Sequence, residues 1–143
     1  MNEDTVRLLE EVDAGCKMAI DSMFRLESYQ LGGELASMLK HYKDKHVELQ
    51  KKTSDALTKL GRPGKEPKAV AAAMSLTTME FKMFVRGDSH QAAKILMNGC
   101  NMGIQTIARK VNQYTQASKE SVGLAKSLIR AEEDLMCDLK KFL

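Results

Sequence analysis

The chain has 143 residues, 43% of them hydrophobic and 29% charged, with a net charge of +3. That is enough apolar material for one domain, residues 1–143, to bury a core without disulfide or metal staples. Only nine glycines, two prolines, three tyrosines and four phenylalanines are present, and the Ala-, Leu-, Met-, Lys- and Glu-rich remainder favours helix over strand. No apolar run approaches the roughly 18 residues of a membrane span. The start, MNEDTVRLLEE, is acidic where a secretory signal would be basic and then apolar. These features predict a cytoplasmic, all-α protein with no membrane partner.

Breaks fall at Gly32-Gly33, at GRPGKEP (61–67), at Arg86-Gly87-Asp88 and near 115–118. Glycine stops a helix, proline follows the stop, and Asp or Ser opens the next one, so the punctuation predicts helices over about 3–31, 33–60, 68–86, 89–115 and 118–143. At 1.5 Å per residue the four long helices reach roughly 40 Å each.

The first helix carries a stripe at Leu9, Val12, Cys16, Ala19, Met23 and Leu26, alternating three and four. In the second the stripe runs Leu35, Leu39, Tyr42, His46, Leu49, Thr53, Ala56 and Leu60. The stretch HYKDKHVELQ within it holds two histidines five residues apart, about 140° apart round a helix. They cannot chelate one ion together, so His41 is assigned to a solvated lysine-rich face and His46 to the interior.

The segment 68–86 is apolar on two sides. Val70, Met74, Thr77, Phe81 and Phe84 suffice to dock it on a bundle, while Leu76, Met79 and Met83 form a second stripe that predicts a homodimer through this segment. The next helix, AAKILMNGCNMGIQTIARKV, is apolar on more than one face. Its register is ambiguous, and its glycines 99 and 103 predict close helix contact. The last helix runs Ala125, Leu128, Glu132, Leu135, Leu139 and Phe142.

A short helix between two equal-length pairs implies two antiparallel hairpins joined by a long helical crossover, the connectivity of ferritin-like bundles rather than the up-down-up-down kind. The succession of two long helices, an LGRPGKEP loop, a short helix, RGDSHQAAKIL, GCNMGIQ and a final AEEDLMCDLKKFL resembles uncharacterised bacterial ferritin-like proteins of the domain-of-unknown-function type. That resemblance implies a four-helix bundle and, in its oxidase members, a di-iron centre. Such a centre takes one Glu from each of two helices and Glu-x-x-His from each of the other two.

Few of those ligands are present. Cys16 stands where related chains carry an acid, and Lys43 takes the Glu place three residues before His46. Ile104 replaces the acid of the third long helix, with Asn98, Asn101 and Gln105 as neutral neighbours. In the fourth, Glu132 is kept while Leu135 replaces the histidine. No metal or other cofactor is therefore expected, and Cys16, His46 and Glu132 are the remaining candidate cluster, a set suited to zinc or iron.

Cys16, Cys100 and Cys137 are odd in number without CxxC spacing, which predicts reduced, buried thiols. Residues 1–39 carry three basic and eight acidic groups, net −5, and residues 40–68 nine basic and four acidic, net +5. Opposite signs favour pairing of the first two helices and require no anionic partner. Stacking aromatics and a recognition-helix motif for nucleic acid are missing, as are a phosphate-binding loop and a nucleophile elbow. The expected function is a non-enzymatic, oligomeric structural or interaction protein that has lost its di-iron site. The alternative is a metal-binding bundle linked to oxidative stress.

Overall fold

The computed structural model describes residues 2–62 and 88–143. Among them are four long helices and no strand: α1 (Glu3–Leu26), α2 (Gly33–Lys59), α3 (Ser89–Gln113) and α4 (Lys119–Leu139), the last followed by a 3-10 turn at Lys140–Phe142. No helix among these residues is long and apolar enough to cross a membrane. The predicted crossover over 68–86, with Leu76, Met79 and Met83, lies outside the described residues.

Local chemistry sets the helix ends. Asn2 caps α1, its Oδ1 accepting from the Asp4 amide at 2.9 Å, and Asp88 caps α3 by accepting from the Gln91 amide at 2.8 Å. Ser118 caps α4 through the Ser121 amide at 3.1 Å. Each satisfies a first-turn N–H that has no partner inside the helix. At the other end of α2, Gly61 has φ +72°, the Gly61 amide donates to the Thr58 carbonyl and the Arg62 amide to Leu57. This paired bonding is the Schellman stop.

α1 ends five residues short of the predicted boundary. The Ser28 hydroxyl donates to the Arg25 carbonyl at 2.8 Å, and the Ser28 and Tyr29 amides bond three residues back. Leu31 explains the early stop. On a continued helix it would lie 140° round from the buried Leu26, whereas in the loop it is buried and its carbonyl accepts from the Ser89 hydroxyl at 2.6 Å. α4 also stops early, and the 3-10 turn leaves Phe142 half-buried against the core.

α1 and α4 each pack against the other three helices, while α2 and α3 lie across the diagonal. One end of the bundle joins Glu3 to Arg62 at 3.7 Å and the Thr5 hydroxyl to the Ser118 amide at 2.9 Å. The other joins Leu31 to Ser89, and Glu34 to Lys141 by an ion pair. The described chain thus leaves α2 at one end and enters α3 at the opposite one.

The core falls into an upper cluster around Met23, Leu39, Leu96 and Leu135, a middle cluster around Val12, Leu49, Ile107 and Leu128, and a small lower one around Val6 and Leu57. Each fully buried leucine contributes about 1.5–3 kcal/mol relative to exposure. Between the upper and middle clusters the stripes of α2 and α4 carry His46 and Glu132 instead of aliphatic residues.

Candidate functional site: a buried polar layer

Every helix supplies one ionisable side chain to this layer: Cys16 from α1, His46 from α2, Cys100 from α3 and Glu132 from α4, all buried. Each lies on the three-four stripe of its helix, which is why the layer forms at one height.

His46 has no solvent exposure. Its Nδ1 lies 2.7 Å from the Tyr42 carbonyl oxygen, and since a carbonyl only accepts, Nδ1 carries the proton and donates. Nε2 then faces the Glu132 Oε1 at 3.4 Å, with no hydrogen-bond partner of its own. A bare Nε2 lone pair opposite a carboxylate in a dry core would be repulsive. One further proton on the pair converts the contact to attraction, and the His46 pKa moves accordingly. Burial disfavours the imidazolium, but the contact with Glu132, its negative charge and the Tyr42 carbonyl outweigh it, and the net shift is upward from 6.5.

The Glu132 carboxylate also acts on the buried Cys100 thiol. Burial first, and the carboxylate second, push the Cys100 pKa far up, and burial together with Asp13 and Glu132 pushes Cys16 up to about 12. Both thiols therefore stay protonated and unreactive at neutral pH. A Cβ placed on Gly103, one turn after Cys100, would stand 3.5 Å from Glu132 Oε1, an ordinary van der Waals contact.

The residues at the other expected ligand positions are elsewhere. Lys43 lies outside the layer, ion-paired to Glu27 with its ammonium 5.8 Å from the Phe24 ring centroid. Ile104 is half-buried, Asn98, Asn101 and Gln105 are exposed, and Leu135 belongs to the upper apolar cluster. Exposed His41 sets its ring edge-on to Tyr42 at 5.1 Å. Among the described residues no three His, Cys, Asp or Glu side chains converge to hold a metal ion. A di-iron centre needs four carboxylates and two imidazoles, so the layer does not fit one.

Two expectations need correction. Cys137 is exposed on α4 rather than buried, because it falls two residues past the Leu135 stripe position. Gly99 meets nothing within 4 Å of a Cβ placed on it and Gly103 only an ordinary contact, whereas Gly15 of α1, whose Cβ would stand 3.2 Å from Leu128 Cδ2, marks a close helix approach.

Cys100 is buried as expected, but its place in the layer was not read from the sequence, and Asp13 was passed over. Ala93, Leu96, Cys100, Gly103 and Ile107 alternate three and four, a signal that would have fixed the α3 register and placed Cys100 inward. Asp13 is fully buried, its Oδ1 accepting from Gln50 Nε2 at 2.9 Å and its Oδ2 lying 2.8 Å from Lys17 Nζ. The i, i+4 spacing of Asp13 and Lys17 was the only visible hint. Comparison of the chain with protein-family models, with curated proteins and with solved structures finds no match.

Proposed function

We propose that this chain is a non-enzymatic, self-associating bundle of ferritin-like connectivity, two antiparallel hairpins joined by a helical crossover, serving as a cytoplasmic structural or interaction protein. The observation that carries this reading is the His46–Glu132 contact at 3.4 Å, sandwiched between apolar clusters where an oxidase of this architecture would need a carboxylate-rich centre. A protonated pair there closes the core without a metal. In this proposal the crossover contributes to association through the second apolar stripe of its sequence, Leu76, Met79 and Met83.

The competing reading, a mononuclear zinc or iron site in an oxidative-stress protein, has one observation in its favour. His46 Nε2 is unpartnered, and 3.4 Å from Glu132 Oε1 is about the separation of two ligands each roughly 2.1 Å from one tetrahedral ion. Anaerobic Fe(II) addition followed by air distinguishes the readings. The proposal expects no saturable oxidation above a buffer blank and no metal in the purified protein by elemental analysis. Two irons per chain would overturn it, and one tightly held zinc per chain would establish the competing reading.

A further inference from the structure

The outer face of the α1–α2 hairpin carries an open trough whose two segments meet at Lys43. Its floor includes Ile20 and Val47, and Phe24 stands in it 64% exposed. Phe24 is the most exposed large apolar side chain of α1, ahead of Met18 at 40%, and an aromatic ring left in water is a docking feature rather than a core one.

The walls of the trough differ in charge. α1 and the turn after it contribute Asp21 and Glu27, whereas α2 contributes Lys40 and Lys43. Of the α1 cations beside it, Lys17 is turned to the buried Asp13 and Arg25 to Asp21, and Lys40 is paired with Asp44 along α2, which leaves Glu27 and Lys43 as the opposed charges of the two walls. An apolar strip with an acid on one wall and a base on the other is self-complementary. A two-fold axis running along the trough lays α1 of one copy over α2 of the next at the same height, acid against base. The perpendicular in-plane axis would instead oppose like walls.

We infer that this trough is the surface on which a second copy of the chain docks, as an isologous dimer centred on Phe24 with Glu27 and Lys43 alternating across the two-fold axis. The inference rests on the self-association proposed above and places it on described residues. Glu27 and Lys43 already pair within one chain, and the ammonium has three donors, so it can bridge a second carboxylate across the axis. Four alternating charges around an apolar centre fix register as well as affinity.

Light scattering at micromolar concentration tests this. The wild-type chain should give twice the 15.9 kDa chain mass, and Phe24→Glu should halve that mass with helicity unchanged by circular dichroism. Lys43→Glu alone sets four acids around the axis and Glu27→Lys alone sets four lysines there, so each should be monomeric. Mixed in equal amounts, the two should regain the dimer mass, since every acid then faces a lysine. That rescue cannot come from a folding effect or from a segment of the same chain covering the trough. A monomeric wild-type protein would overturn both the self-association and this surface, with loss of helicity in Phe24→Glu then pointing to cover by the chain's own residues. A dimeric wild-type protein whose three variants stay dimeric would overturn the surface alone.

Discussion

At the scale of single residues the His46–Glu132 contact decides most, because a buried polar group costs little only while its partner remains. Glu132→Ala leaves the imidazole in the core without its carboxylate and should cost about 1–3 kcal/mol in denaturant melts. His41→Ala, on an exposed side chain, should change stability by less than about 0.5 kcal/mol. Equal effects of the two substitutions would contradict the assignment. The pH dependence follows from the raised His46 pKa. In the unfolded chain the imidazole titrates near 6.5, so its stabilising proton is fully in place below that value and is lost as pH rises through the higher native one. Wild-type unfolding free energy should therefore fall as pH rises above 6.5 relative to Glu132→Gln, which lacks the charge that holds the proton. A difference that grows with pH would have the wrong sign for this pair.

The helices are set by their ends as much as by their stripes. Asp88→Ala removes the acceptor for the Gln91 amide and should cost about 0.5–2 kcal/mol. Gly61→Ala meets no neighbour within 4 Å but forces a side chain onto φ +72°, and should cost about 1 kcal/mol through backbone strain alone. Thermal melts of the two variants measure both. The helix starts were legible because Asp88 and Ser118 announce themselves, and so was the glycine stop of α2. The stop of α1 was not, because Ser28 and the burial of Leu31 depend on where Ser89 arrives from elsewhere in the chain. Stripes of α1, α2 and α4 could be read from their three-four rhythm down to His46 and Glu132. On α3 the same rhythm was masked by extra apolar residues, and that hid Cys100, the thiol that completes the layer.

For the whole molecule, the sequence pattern was enough to predict long helices with one buried stripe each, and four such helices make up the described residues. It could not supply the side-chain meetings between helices, such as Gln50 reaching the buried Asp13 or Lys43 turning out to Glu27, because these depend on helix rotation and not on spacing alone. The polar layer is the feature that ties the scales together. Its residues come from all four helices, it lies between the upper and middle apolar clusters, and its chemistry is protonic on the reading proposed above. A proton-detected NMR titration of the His46 imidazole, run on chelator-treated protein with and without added Zn(II), tests that claim most directly. A protonated His46–Glu132 pair gives a midpoint above 6.5 that is the same in both samples and falls in Glu132→Gln. An imidazole resonance that stops titrating when zinc is added would contradict it.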